Sequence, residues 1–296
     1  MGTDLRENSA EARRLFEVAD RITGLPISQL CAEGPIARLT ETDVAQPAVV
    51  TTSLAALSVL RDAVRVQPSA VAGHSVGEIA AYVAAGVLDA EGALHLVHAR
   101  AQAMAAACRA VDGTMAAVIG LDEEPLRAAC AAASQNGSSV EVANLNAPGQ
   151  LIVSGARDAI DRAAVFFRAA GARRVLPLNV GGPFHSVYMR PAANGLCEAI
   201  STTVFHRADI AVVLNASADA TQKPEALREE LITQVYSPVR WIETLQRLTR
   251  LGCDRFLEVG PGQVLAGMVR RTLPDMKVAS FGSLADLAGA VSLVEG

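Results

Sequence analysis

The chain has 296 residues, 51% of them hydrophobic, enough apolar surface to bury one large core or two of ordinary size, and this excludes a disordered or fibrous protein. Its formal net charge is −5, only 4% of residues are aromatic and no basic block occurs, so the electrostatic footprint of a nucleic-acid binder is missing and no such partner is expected. Five scattered cysteines (Cys31, Cys108, Cys130, Cys197, Cys253) contain no Cys-x-x-Cys pair, which argues against a disulfide framework or a zinc site and fits a reducing cytoplasm.

The opening, "MGTDLRENSAEARRLF", carries acids and polar residues where a signal peptide needs an apolar core. The first strong unit is "SAVAG" followed by "EIAAYVAAGVL", an apolar strand, a glycine-bearing turn and an alanine-rich helix. The longest uninterrupted apolar helical run, from about Ile79 to Leu88, is too short to span a bilayer, so no membrane partner is expected.

The stretch from about Val111 to Gly181 has another rhythm. "GTMAAVIGL", a helix from about Glu123, "VEVANLN", "GQLIVSG", a helix from about Ala156 and "RRVLPLNV" predict a small α+β unit of short strands and two helices. It sits inside a larger α/β unit that resumes afterwards, where "DRFLEV" and "GPGQVLAGMVRRTL" make another strand–loop–helix. The predicted boundaries are 1–110 and 182–296 for the large domain and 111–181 for the small one.

In "VAGHSVGE", Gly73 and Gly77 flank Ser75 at minus two and plus two, the spacing with which a strand turns abruptly into a helix and any side chain would collide with the crossing backbone. Such a turn exposes the hydroxyl at a helix N-terminus, where the Val76 N–H and the helix dipole can stabilise an oxyanion. A plain strand–helix loop is the alternative; the strand before and helix after favour a nucleophile.

A serine needs a base, and five histidines are available. His74 adjoins Ser75, but neighbouring side chains on such a turn diverge, which places it behind the loop. His95 and His98, one helical turn apart, lack the acids or cysteines that would complete a metal site. His206 lies in a polar segment. His185, in "NVGGPFHSVYM", sits in a glycine–proline loop after a predicted strand, and the residues alone leave both a catalytic and a packing role open to it.

Arg100 lies on an apolar helix with Leu96, Val97, Ala103 and Met104 as its neighbours one turn away, so no local carboxylate neutralises it. A guanidinium so placed snorkels to water or meets a distant anion; on these residues alone the solvated position is the expected one.

Taken together, "AGHSVGEIAAYVAAGVLDAEGAL", Arg100, "NLNAPGQLIVSG", "GGPFHS", "QVYSPVRW" and "FLEVGPGQVLAGMV" closely resemble, in order along nearly the whole chain, bacterial malonyl-CoA:acyl carrier protein transacylases and the acyltransferases of polyketide synthases. The resemblance implies Ser75 as nucleophile and His185 as its base, oriented by a backbone carbonyl at the position of Gln234. It implies Arg100 as the clamp on the free carboxylate of a malonyl group, through a bidentate pair. Gln46, in "QPA", matches an active-site glutamine, Phe184 the position where an aromatic accompanies malonyl preference, and Asn146 a cleft-lining residue of the small domain. The implied fold is an α/β-hydrolase-like large domain with a mainly parallel sheet and an inserted ferredoxin-like small domain.

The implied reaction moves a malonyl group from malonyl-CoA to the phosphopantetheine thiol of an acyl carrier protein through a malonyl-serine, in fatty acid or polyketide assembly. No cofactor is implied: the two lysines, Lys223 and Lys277, have no Schiff-base context, and Leu265 occupies the third glycine position that "GPGQVLAG" would need to bind a dinucleotide. Carrier proteins of this kind are acidic, so Arg168, Arg173, Arg174, Arg270 and Arg271 are candidates for a docking surface or for ordinary solvated charges.

One departure is plain. The family's N-terminal strand and "FPGQGSQ"-like loop, which supplies a second oxyanion N–H, has no equivalent in these 296 residues, which open at "MGTDLRE". Loss of one such donor costs roughly 100- to 1000-fold in rate, and loss of an interior strand leaves its neighbours with unpaired backbone groups. Two rivals stand beside the transferase: an acyl-thioester hydrolase using the same pair, and, because that loop is absent, a catalytically impaired subunit that docks carrier protein.

Overall fold

The computed structural model of the chain describes residues 1–135 and 137–296. Helices come first: α1 (Thr3–Asn8), α2 (Ala10–Thr23), α3 (Ile27–Glu33), α4 (Ile36–Leu39) and the 22-residue α5 (Thr42–Ala63). Ser9 starts α2 by accepting a hydrogen bond from the Ala12 N–H at 3.2 Å, and Gly24 ends it at φ 66°. Helix α5 is buried on most of its circumference, because Val44, Ala48, Val50, Leu54 and Leu60 point to different sides of it and all enter the core. It is long and apolar enough to cross a membrane, and 72% of its apolar window is buried inside the protein. The longest apolar helix is thus α5, and not the run near Ile79 picked out by uninterrupted hydrophobicity. Polar Thr51, Thr52 and Ser53 break that run in the sequence, yet all three are buried.

The strand–turn–helix expected around "VAGHSVGE" follows as β1 (Ala70–Ala72) and α6 (Gly77–Ala84), and α7 (Ala90–Arg109) comes next, capped by the Asp89 carboxylate on the Gly92 N–H at 2.6 Å. The next stretch folds as β2 (Gly113–Ile119), α8 (Glu123–Ala133), β3 (Val140–Ala147), β4 (Gln150–Ala156), α9 (Arg157–Ala169) and β5 (Arg174–Pro177). Its four strands form an antiparallel sheet in the order β3-β4-β2-β5. The period-two alternation of β2 decides its two faces: Ala116 and Val118 pack with Leu126, Ala163 and Phe167 under α8 and α9, while Met115 and Ala117 pack with Ala143, Ile152 and Phe184 on the opposite side.

After this sheet come α10 (Arg190–Thr202), β6 (Ala211–Val213), β7 (Ala220–Thr221), α11 (Pro224–Thr233), α12 (Trp241–Arg250), β8 (Arg255–Val259), α13 (Val264–Thr272), β9 (Lys277–Phe281) and α14 (Leu287–Glu295). Parallel pairing is present, as β1 with β6 and β8 with β9, but in two separate small sheets, and β7 joins β6 antiparallel. The fold is therefore α/β with mixed sheets. Strands β1 and β8 lie between the same two apolar layers. Ala70, Ala72 and Phe256 pack on the cluster of Val213, Trp241, Leu245 and Met268, whereas Val71, Leu257 and Val259 pack on the main core of α5 and α7. Each has one strand partner among the described residues, and all their residues are only partly buried.

Candidate active site

The turn between β1 and α6 is tight enough to exclude a side chain at Gly73, where a Cβ would lie 2.2 Å from the backbone C and O of Gly77. Gly77 itself has open space around its missing Cβ. The steric demand for glycine on this turn is therefore one-sided, a correction to the sequence reading. Ser75 takes φ 51°, a conformation uncommon outside glycine and often found where strain is held for function. Two distant side chains hold it there: Asn215 Oδ1 accepts from the Ser75 N–H at 2.7 Å, and Gln234 Nε2 donates to the Ser75 carbonyl at 2.9 Å. The Val76 N–H, just ahead of α6, has no hydrogen-bond partner among the described residues.

His185 reaches this turn from the loop before α10. Its Nε2 lies 2.8 Å from Ser75 Oγ, and its Nδ1 lies 2.9 Å from the Gln234 carbonyl and 3.2 Å from that of Ser237. Two carbonyls accept only, so Nδ1 carries the proton and the Nε2 lone pair faces the serine. His185 also has a positive φ, 57°, and its N–H donates to the Val235 carbonyl at 3.2 Å. Burial foremost, then the charge of Arg100, pushes the imidazole down to about 3, so the ring is neutral and able to accept a proton.

Arg100 is 2% exposed. The solvated position expected from its helix neighbours is overturned because its partners come from other elements: Nη1 donates to Gln46 Oε1, and Nη2 donates to Gln234 Oε1 at 2.8 Å and Ser75 Oγ at 3.1 Å. None of these is a carboxylate. Burial lowers the guanidinium to about 10, with the Glu78 carboxylate pulling the other way, so it stays charged at neutral pH. Its buried Nε has no partner among the described residues. A charged fork with spare N–H capacity beside a serine hydroxyl can receive a small anion.

The remaining expected residues fall around this centre. Gln46 is buried on α5, with Nε2 3.5 Å from the Met104 sulfur. Phe184 is half-buried one residue before His185 and joins the open face of the four-stranded sheet to the main core. Asn146, at the end of β3, pairs its Oδ1 with His74 Nε2 at 2.8 Å, and His74 packs edge-on against Trp241 with ring centroids 5.3 Å apart. Asn146 therefore meets the residue beside the nucleophile, and His74 turns away from Ser75. His95 and His206 are exposed.

Sequence reasoning missed Asn215 and Glu78. An asparagine just beyond β6, the parallel partner of β1, stands at the carboxyl end of a strand where α/β folds place functional groups, and that was the available signal for Asn215. Glu78 reads locally as an ordinary first-turn acid, yet it is fully buried.

Residues 1–291 match the family described as acyl transferase domain. The chain is 41% identical over 271 residues to the malonyl CoA-acyl carrier protein transacylase of Bacillus subtilis (strain 168), covering 92% of this chain and 85% of that protein. It superposes on the crystal structure of an acyl carrier protein S-malonyltransferase from Vibrio cholerae with TM-score 0.93 at 37% identity, covering 98% of this chain and 94% of that one. A malonyl-transacylase solved in complex with its type II PKS acyl-carrier protein superposes with TM-score 0.94 at 36% identity, covering 99% and 94%.

Proposed function

The chain belongs to the acyl transferase domain family, and from that premise we propose that it transfers a malonyl group from malonyl-CoA to the phosphopantetheine thiol of an acyl carrier protein. The observation that carries this reading is the meeting of three groups at one point: Ser75 Oγ lies 2.8 Å from His185 Nε2 and 3.1 Å from Arg100 Nη2.

The malonyl carboxylate pairs with the Arg100 fork, which places the thioester carbonyl at Ser75. His185 Nε2 takes the hydroxyl proton as Oγ bonds to the carbonyl carbon, and the Val76 N–H stabilises the oxyanion. The C–S bond breaks and coenzyme A leaves as the thiol with the proton from His185. In the second half the carrier thiol gives its proton to His185, attacks the acyl-serine and returns Ser75 to the hydroxyl form. Gln46 and Gln234 set the plane of the guanidinium, Phe184 borders the acyl site as the malonyl-preferring aromatic, and the Asn146–His74–Trp241 contact braces the turn.

Residues 1–110 and 182–296 serve in this reading as the α/β-hydrolase-like unit and 111–181 as an inserted ferredoxin-like unit, a division supported by the separate apolar cluster beneath α8 and α9. The exposed Arg168, Arg173, Arg174, Arg270 and Arg271 offer an acidic carrier the complementary charge. A cytoplasmic setting, in fatty acid or polyketide assembly, goes with the free state of all five cysteines.

Intact mass spectrometry after mixing with malonyl-CoA tests the proposal. A malonyl adduct on Ser75 that is discharged only onto carrier protein is expected. Free malonate released whether or not carrier is present makes the chain a hydrolase, and carrier binding without any adduct makes it a docking subunit.

A further inference from the structure

Glu78, in the first turn of α6, touches none of the reacting atoms, yet two of the amides that organise the site, Asn215 and Gln234, lead back to it. It is 0% exposed. Both carboxyl oxygens accept: Oε1 from the Asn215 backbone N–H at 3.2 Å and Asn215 Nδ2 at 3.1 Å, and Oε2 from Gln234 Nε2 at 2.5 Å. An acid at a helix start ordinarily serves that helix's own N–H groups, but none of these partners belongs to α6.

The two amides it holds do different work. Asn215 Nδ2 donates to the Gly73 carbonyl at 2.7 Å while Oδ1 accepts from the Ser75 N–H, so this side chain grips both ends of the nucleophile turn. Gln234 accepts from Arg100 at Oε1, donates to the Ser75 carbonyl at Nε2, and orients His185 with its backbone carbonyl. Donor and acceptor sense is forced along each path. Guanidinium and backbone N–H groups only donate, so Oε1 of Gln234 and Oδ1 of Asn215 must face them, which leaves both NH₂ groups pointing at residue 78. An acceptor-only side chain with two oxygens is what that position requires.

We infer that Glu78 is a positioning residue for acyl transfer: by accepting on both oxygens it fixes the amide orientation of Asn215 and Gln234, and through them Ser75, His185 and Arg100. The inference rests on the transferase reading above. Its electrostatic setting shows what those donors do: they hold the acceptor-only form against burial. Burial foremost, then the nearby Glu230 carboxylate, raises the Glu78 carboxyl well above its usual range, and the donors of Gln234 and Asn215 pull it back toward the carboxylate. Glu230 faces the neighbouring Ala216 N–H at 2.7 Å, so it braces the same loop.

Glu78→Gln preserves volume but turns one oxygen into a donor, which then meets either Gln234 Nε2 or the two Asn215 N–H groups. The expected result is a folded protein, unchanged in far-UV circular dichroism, whose Ser75 acylation at saturating malonyl-CoA slows on the order of 100-fold, the scale for displaced reacting groups, with a smaller change in KM. In a Gln234→Ala background the same substitution has an effect of about tenfold or less, because one of its two paths is already cut. The NMR signal of the His185 Nδ1 proton also moves in E78Q, a readout that does not depend on turnover. Acylation within about threefold of wild type, an unmoved imidazole proton, or the same loss in both backgrounds overturns the inference. Should E78Q not fold, Glu78→Asp, which keeps the acid but shortens its reach, is read by the same three measures. A wild-type chain that takes up no malonyl overturns the transferase reading instead, and the imidazole signal then decides the positioning claim alone.

Discussion

The Arg100 guanidinium and the Gln234 side-chain amide, 134 residues apart in sequence, meet at 2.8 Å, and the same Nη2 also approaches the nucleophile at 3.1 Å. The guanidinium and the hydroxyl to which the proposed reaction gives substrate binding and attack are therefore parts of one hydrogen-bonded array. Arg100→Lys breaks it, because an ammonium cannot serve Gln46, Gln234 and Ser75 with planar, divergent N–H groups. The expected outcome is a loss in kcat/KM for malonyl-CoA of at least about 100-fold, the cost of a charged pair or more, with a smaller loss for acetyl-CoA, which has no carboxylate and feels only the disturbed array. Parallel steady-state assays with the two thioesters check it.

His185 gives a pH prediction with a definite sign. Its ring is held near 3 against an ordinary value of 6.5, so between those values the unfolded chain binds a proton that the folded one does not. This group's contribution to stability therefore falls as pH is lowered from about 6.5 toward 3 and is constant above that window. Acylation of Ser75 by an uncharged serine-directed reagent has its acid limb low for the same reason. Arg100 is the second cause of the depression, so Arg100→Gln moves that limb to higher pH. An unchanged limb in stopped-flow pH profiles would refute the assignment.

Gly73 and Gly77 look equivalent in sequence and are not. Gly73→Ala puts a Cβ 2.2 Å from the Gly77 backbone and 2.4 Å from the Glu78 nitrogen, so the turn cannot close. Gly77→Ala meets nothing within 4 Å and occupies the first residue of α6. Denaturant titration is expected to show a severe loss for the first. For the second it should show no loss, or a gain of up to ~1 kcal/mol, the difference in helix propensity.

Phe167 is fully buried among Leu126, Ala163 and the strands of the four-stranded sheet. Phe167→Ala should cost about 3–5 kcal/mol by leaving a cavity, while the acylation rate per folded molecule stays unchanged, since none of the site's hydrogen bonds arises from that cluster. Thermal unfolding and active-site titration of the same sample separate the two effects.

Much of the local structure was legible in the sequence, for local reasons. The strand–turn–helix around Ser75 and the strands and helices from Gly113 to Pro177 follow from glycine placement and from periods of 2 and 3.6, which depend on near neighbours alone. Arg100 shows where that reasoning stops: its helix neighbours are apolar, and its partners arrive from α5, from the loop after α11 and from the nucleophile turn. The resemblance to a known family placed Arg100, His185 and the Gln234 carbonyl at one site. It said nothing of the Gln234 side chain, Asn215 or Glu78, whose work consists of holding other side chains and leaves no mark on sequence periodicity.

Strands β1 and β8, each hydrogen-bonded along one side, have a consequence for handling the molecule. Along its other side each has N–H and C=O groups with no strand partner among the described residues, flanked by apolar side chains, and such an edge is a template to which an extended peptide can add. Growth of scattering with concentration, suppressed by a short β-branched peptide added in excess, would identify those two rims as the adhesive part of the surface.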